Sequence, residues 1–280
     1  SFTKYSSQEN LLSHNTVRTI YEDSLSNLWV GTYDGLNLLP QGESKFIKID
    51  LPRTDSNGPS NLLILDIKTS NEKLWIGTEV GLFELNQEVN TTKKIEAEFS
   101  NNVIKCIYED KLGKLWLGTD FGLNIFDPNS NQVATQFHNP KLSFSIANNV
   151  IWQIFEDRAG VLWFVTSNGL SRTNLNGNFY SYHEISRIVE DQVIGNQVKT
   201  ILPGIDGNLW LGTQDGVIRL NDKSEEAVVF DANTNNDRQL LLNNVFALEQ
   251  DDLGRIWIGS AGGINIWDDE KEQMVEITAS

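Results

Sequence analysis

Short apolar runs alternate with polar, turn-forming stretches along the whole chain, and the pattern comes round six times. In its first round, Val17 to Asp23 alternates apolar and polar positions and Asn27 to Thr32 carries a tryptophan. Gly35 to Leu39 begins on a Gly-Leu pair, and Lys45 to Ile49 holds aromatic and branched residues. Each run is rich in β-formers and is bounded by Asn, Asp, Ser or Gly, as strands and their turns read in sequence. No stretch sustains the apolar period of a helix, so the pattern predicts an all-β chain. The tryptophan run is the most regular part. Leu115-Trp116-Leu117-Gly118-Thr119-Asp120-Phe121-Gly122-Leu123 has counterparts around Trp29, Trp75, Trp163, Trp210 and Trp257, at intervals of 46, 41, 47, 47 and 47 residues. A period of that size marks a repeat architecture.

The polar stretches carry turn chemistry. Asp23, Asp110, Asp157 and Asp251 stand three residues before Ser26, Gly113, Gly160 and Gly254. Asp opens a type I turn by accepting from the backbone ahead, and Gly supplies the positive φ that closes a bulged hairpin. The fifth copy varies this as Pro203-Gly204-Ile205-Asp206-Gly207. The second, Lys68 to Lys73, lacks both signals and reads one residue shorter. Gly35, Gly81, Gly122, Gly169, Gly216 and Gly263 fill one slot in all six copies, which calls for positive φ or a close backbone approach. The position two after each tryptophan is Gly except at Val165, which is expected to hold the fourth sheet slightly apart from its neighbour.

Six four-stranded antiparallel meanders at this period suit a β-propeller, with each sheet one blade covered on both faces by its neighbours. The tryptophans Trp29, Trp75, Trp116, Trp163, Trp210 and Trp257 then act as wedges between blades, each contributing roughly 2–3 kcal/mol or more when buried. A parallel β-helix has shorter coils, and a WD40 array shows Trp-Asp at strand ends. The repeats run over approximately 11–50, 58–97, 99–138, 146–185, 193–232 and 240–280, read as a single domain over 1–280. Residues 1–7 read as a spare outer strand, although Met274 to Thr278 already supplies a fourth strand to the last repeat. Two arrangements stay open: a closed six-bladed ring, or part of a larger seven-bladed or tandem array.

Composition narrows the partners. Hydrophobic residues make up 39% of the 280, with eight Trp and thirteen Phe, enough for a substantial core. The formal net charge is −16, from 38 acidic against 22 basic residues. Such a surface repels nucleic acid and anionic membranes, and more weakly disfavours sulfated or uronate-rich ligands. Cys106 is the single cysteine, so no intrachain disulfide or Cys-based zinc site forms. No run of about 18 apolar residues is present, and no membrane contact is expected of this segment. No leader is visible and the chain opens at Ser1, which reads as a piece of something longer.

Candidate chemistry is sparse. His14, His138 and His183 fall in different inter-segment loops of different repeats without metal-ligand spacing, and read as ordinary loop residues. Nucleophile-elbow and phosphate-loop patterns are absent. Cys106 sits where other copies have Thr19, Gln153, Thr200 and Ala247, and reads as a small buried filler. Glu22-Asp23, Glu109-Asp110 and Glu156-Asp157 recur at the same turn, which points to hairpin chemistry rather than acid–base work. Asp206-Gly207-Asn208 resembles the start of a calcium loop without its later ligands. No catalytic, metal-binding or cofactor residue is assigned.

Two sets of positions are candidates for ligand binding. Asn15, Asn61, Asn102, Asn149, Asn196 and Asn243 lie fourteen residues before the tryptophans. A ring of amides suits a neutral polyol, and turn capping through the residue's own backbone is the plainer role. The second set is the two free positions between Thr and Gly: Tyr33-Asp34, Glu79-Val80, Asp120-Phe121, Ser167-Asn168, Gln214-Asp215 and Ala261-Gly262. They differ from copy to copy, as on an outward-facing loop over a fixed framework. Tyr33 or Phe121 can stack on a sugar ring while Asp34, Asp120, Asn168 or Asp215 meets its hydroxyls; a solvated loop is the plainer reading. Trp152, outside the repeat slot, is a further candidate, with a core role as its alternative.

The phrases Asn102 to Leu123, Asn15 to Leu36 and Asn149 to Leu170 resemble the two-component regulator propeller repeat. Asn243 to Ile264 is also close, Asn196 to Val217 is looser, and Asn61 to Leu82 keeps mainly its second half. The resemblance implies a non-catalytic, periplasmic sensor region of a bacterial receptor whose histidine kinase or other output domain lies elsewhere in the parent chain. It implies seven-bladed rings, often in tandem, and frequent response to saccharides. An oligosaccharide or other small polar ligand is the expected partner, and homodimerisation is open. A streptogramin-type lyase, similar in its Gly207 to Trp210 turn, and a protein-docking scaffold are the alternatives.

Overall fold

The computed structural model describes residues 5–8, 11–52, 62–70, 73–86, 91–142, 145–174, 180–183, 197–221, 227–233 and 237–277. Their regular structure is entirely β: six four-stranded antiparallel sheets, each a simple meander, the blades of a β-propeller. First strands are Val17–Glu22, Ile64–Ser70, Ile104–Glu109, Ile151–Glu156, Val198–Pro203 and Val245–Gln250. The tryptophan strands are Leu28–Thr32, Lys73–Thr78, Leu115–Thr119, Val161–Thr166, Asn208–Thr213 and Ile256–Ser260. Third strands are Gly35–Leu39, Gly81–Asn86, Leu123–Asp127, Gly169–Asn174, Val217–Asn221 and Gly263–Asp268. Fourth strands are Ile47–Ile49, Thr91–Lys94, Gln132–Gln136, Tyr180–His183, Ala227–Phe230 and Gln273–Ile277. His183 therefore ends a strand, where the sequence places it in a loop. Of the spare strand expected over 1–7, residues 5–7 run as coil and turn, and residues 1–4 lie outside the described set.

The chain clusters into two compact units, residues 1–136 and 137–280, each of three blades. Contacts in a repeat array are made mainly between neighbours. In the first unit, Trp29 and Leu36 of blade 1 pack with Ile64, Ile67 and Ile76 of blade 2. Trp75 and Leu82 of blade 2 pack with Ile104, Ile107 and Phe126 of blade 3. In the second unit, Trp163 joins Val198, Ile201 and Leu211, and Trp210 joins Val245, Leu248 and Trp267. Each of these four tryptophans wedges onto the blade that follows it.

Turn chemistry follows the sequence. The Gly slot has positive φ in all six blades, from 91° at Gly169 to 139° at Gly81 and Gly216. The second hairpin is one residue short: Glu109 pairs Leu115, whereas Thr69 pairs Leu74. Glycine after the tryptophan is a close approach, since a Cβ on Gly77 would stand 2.7 Å from the Ile104 carbonyl oxygen of the next blade. Val165 fills the same slot in blade 4, fully buried among Val198 and Ile201.

Candidate functional site

Two features present side chains at one end of each blade. The first is a β-bulge in every first strand. Register shifts by one residue at Arg18, Leu65, Lys105, Trp152, Lys199 and Phe246. A bulge leaves one residue unpaired and re-aims its side chain. The second feature is a hydroxyl clamp on the turn after the tryptophan strand. Thr32 Oγ1 donates to the Gly35 carbonyl at 3.0 Å and accepts from the Asp34 N–H at 3.0 Å. Thr78, Thr119, Thr166 and Thr213 repeat both bonds. Ser260 makes looser versions at 3.4 and 3.3 Å.

Two consequences follow. In four blades the first residue of the clamped turn bonds back to the residue two before the bulge: the N–H groups of Tyr33, Ser167 and Gln214 donate to the Thr16, Val150 and Gln197 carbonyls at 3.2 Å, and that of Glu79 to Leu63 at 3.4 Å. In blades 3 and 4 the bulge residue meets the turn residue of its own blade. Lys105 pairs with Asp120 at 2.6 Å, and the Trp152 indole N–H donates to Ser167 Oγ at 2.9 Å. Bulge and turn together form an edge whose framework repeats and whose displayed residues do not.

The predicted residues divide on this geometry. Tyr33 and Phe121 are exposed on the edge, Tyr33 with its ring 5.9 Å from that of His14. Asp34 pairs with Lys48 at 3.3 Å and Asp120 with Lys105, so both carboxylates already have cationic partners. Asn168 is exposed and Asp215 half-buried on their turns. Trp152 lies on the edge with 39% of its surface exposed.

The Asn slot works differently. Asn15, Asn149 and Asn243 accept through Oδ1 from the backbone N–H of Ser7, His138 and Ala232, stapling chain that arrives 8 to 11 residues earlier. The cap onto nearby backbone falls instead to Asn101 and Asn148, which accept from Val103 and Val150. Asn102 is exposed. Asn61 and Asn196 lie outside the described residues.

Two structural networks were missed in the sequence. The turn aspartates also bind the wedge: Asp23, Asp110, Asp157 and Asp251 accept the indole N–H of Trp29, Trp116, Trp163 and Trp257 at 2.8–2.9 Å. At Asp23, burial pushes the carboxyl up, but bonds from Trp29, Asn27 and Leu25 outweigh it and hold it below its ordinary value. At Asp251 bonds from Arg255 and then Trp257 hold it far lower. A spacing of six between Asp and Trp was the available signal. In the fifth blade Gly204 stands in the Asp position, and the buried Trp210 indole N–H has no hydrogen-bond partner among the described residues.

The other network is a buried amide. Asn37, Asn124 and Asn265 accept from the backbone N–H of Ser13, Ser100 and Leu241, each 24 residues earlier, as Ser171 Oγ does from Ala147. Beside the Gly204 hairpin, at the other end of the tryptophan strand, a cleft of about 190 Å³ is lined by Asp157, Arg158, Trp163 and Asn208. Cys106 is buried, as its strand position predicts. Among the described residues no three His, Cys, Asp or Glu side chains converge as a metal site would require, and no helix is long and apolar enough to cross a membrane.

Comparison with known proteins agrees with the repeat. The family model of the two component regulator propeller matches residues 11–34, 98–121, 145–168 and 239–262. The chain is similar to the extracellular domain of BT4673 from B. thetaiotaomicron, assigned as a one component system: 29% identity, TM-score 0.57, over 98% of this chain and 37% of that one. The extracellular domain of the hybrid two component system BT3049 from the same organism gives 22% identity and TM-score 0.77, over 99% of this chain and 36% of that one. The chain thus spans little more than a third of either relative. Virginiamycin B lyase from Staphylococcus aureus shares the fold at 14% identity and TM-score 0.69, over 95% of this chain and 85% of that one. No curated protein matches the chain.

Proposed function

For a chain built on the two component regulator propeller repeat, we propose a non-catalytic, ligand-sensing role in the periplasm. The segment binds a small polar ligand, such as an oligosaccharide, on its bulge-and-turn edges. The signal passes to a kinase or other output domain elsewhere in the parent protein. One observation carries the reading: the clamp and bulge recur with the same hydrogen bonds while the residues they display change from blade to blade. A framework held constant under variable exposed side chains is how loops carry recognition on a rigid scaffold. Similarity to extracellular domains of signalling systems supports the location.

The test is a thermal-shift and tryptophan-fluorescence screen of the purified chain against neutral and acidic oligosaccharides, with its solution mass measured alongside. A ligand that binds only the folded state must raise the melting temperature, by about 2.7 kcal/mol of stability at a hundredfold excess over Kd. A dimer indifferent to every saccharide would replace the sensing role with docking. Divalent-dependent turnover of a streptogramin would replace it with catalysis.

A further inference from the structure

The six bulges re-aim side chains of five kinds, lysine twice, and in the second unit three consecutive first strands set Trp152, Lys199 and Phe246 in a row. Trp152 is 39% exposed and Phe246 51% exposed. Lys199 lies between them, half-buried. Its ammonium stands 4.6 Å from the Phe246 ring centroid and donates to Asn244 Oδ1. These strands are bound to one another as well: the Ile201 N–H donates to Gln153 Oε1 across the two blades at 2.9 Å. The row is therefore a built surface rather than three independent side chains.

Blade 3 shows what this arrangement lacks. There the bulge lysine, Lys105, is neutralised by Asp120, fifteen residues on. The residue fifteen on from Lys199 is Gln214, which carries no charge. Among the described residues no carboxylate lies within ion-pair distance of Lys199. An ammonium has three donors, and one goes to Asn244. We propose that Trp152, Lys199 and Phe246 form a binding site for a short saccharide carrying a carboxylate. The acid pairs with Lys199 in the place Asp120 holds in blade 3. The apolar face of a sugar ring lies on Trp152, and Phe246 closes the far side.

This rests on the sensing role above and names its ligand class. Burial lowers the pKa of Lys199, the mark of a partly desolvated ammonium without a counter-charge, which an incoming carboxylate supplies. The net charge of −16 does not forbid this. At physiological salt, charges more than about 8 Å away are largely screened, and the local pair decides.

The experiment titrates the purified chain with di- and tri-galacturonate and di-glucuronate, each beside its neutral methyl ester, by calorimetry at physiological salt. The acid is expected to bind about tenfold or more tighter than its ester. Lys199→Gln should abolish that preference, and Trp152→Ala should weaken acid and ester alike. Gln214→Asp keeps the lysine and supplies the internal carboxylate of blade 3, so it should exclude the acid while leaving the unliganded melting temperature unchanged or higher. Equal binding of acid and ester overturns the site, as does a preference that survives in Lys199→Gln and Gln214→Asp; either leaves the sensing role standing. So does binding of neutral oligosaccharides alone. No response to any saccharide overturns both.

Discussion

At the scale of single residues, most of the specificity of the fold sits in buried polar groups that find partners far along the chain. The amide behind the third strand shows the rule and its exception. Asn37 Nδ2 donates to Ser13 Oγ and Asn124 Nδ2 to Ser100 Oγ, both at 2.8 Å. In blade 6 the serine is replaced by Leu241, and the Asn265 Nδ2 donor is buried without a hydrogen-bond partner among the described residues. An unsatisfied buried donor costs about 1–3 kcal/mol. Leu241 is half-buried, so its loss offsets part of that. Leu241→Ser is expected to gain about 1 kcal/mol, a rise of roughly 2–4 °C in melting temperature. Leu241→Ala is the control, because it removes the same side chain and restores no acceptor. Equal melting of the two variants would show that the orphaned amide costs nothing.

At the scale of the strand, the reading from sequence was good where the information is local and poor where it crosses blades. The third strand lies at Gly35–Leu39 as predicted, and the fourth shortens from Lys45–Ile49 to Ile47–Ile49. Propensity and turn residues act within a few positions, so they are visible. The Asn37–Ser13 bond spans 24 residues and depends on which loop returns beside which strand, so alternation cannot show it. The bulges were legible in principle. Ile104 and Ile107 are both buried, as are Ile151 and Ile154, and Val198 and Ile201. A spacing of three on a strand is impossible for a period of two without an extra residue. The displayed residues at the bulges follow no rule, which is why Lys199 and Phe246 were passed over and Trp152 was noticed only as an aromatic out of place.

The residue after the bulge joins first strands between blades. Asp66 Oδ2 accepts the Ile107 N–H at 2.7 Å, as Gln153 does for Ile201. Burial pushes the Asp66 carboxyl up to about 6, against smaller downward effects from the Ile107 and Ile67 N–H groups and Lys68. The unfolded value is near 3.8. Between these two values the folded state holds a proton that the unfolded state has released. Stability therefore falls as pH rises through the window, is highest below about 4, and is level above about 6. The full span corresponds to at most about 3 kcal/mol. Asp66→Thr places the residue of Thr19 and Thr200 at this position and removes the titration. Relative to that variant, the parent chain is expected to lose denaturant resistance from pH 4 to pH 6.5. Parallel curves for the two chains would contradict it.

At the scale of the whole molecule, charge opposes the fold that the apolar wedges favour. The ion pairs are mostly peripheral: Lys48–Asp34 and Lys271–Asp268 each place an exposed lysine beside a carboxylate, and exposed pairs contribute about 0–1 kcal/mol. Against them stands the mutual repulsion of a chain with formal net charge −16, which disfavours the compact state. Added chloride weakens both, but unequally. The screening length falls from about 30 Å at 10 mM to about 8 Å at 150 mM. That range removes repulsion across the molecule while leaving pairs in direct contact largely intact. The melting temperature at pH 7 is therefore expected to rise between 10 and 150 mM sodium chloride, and to flatten beyond. A fall over the same range would mean that the contact pairs outweigh the long-range repulsion. The same field bears on ligand approach. An anionic saccharide is repelled at distance and attracted only on arrival at Lys199, so its association should quicken with salt while that of its neutral ester stays constant. Slower association of the acid with added salt would contradict this, and would point instead to local cationic steering that overrides the net charge of −16.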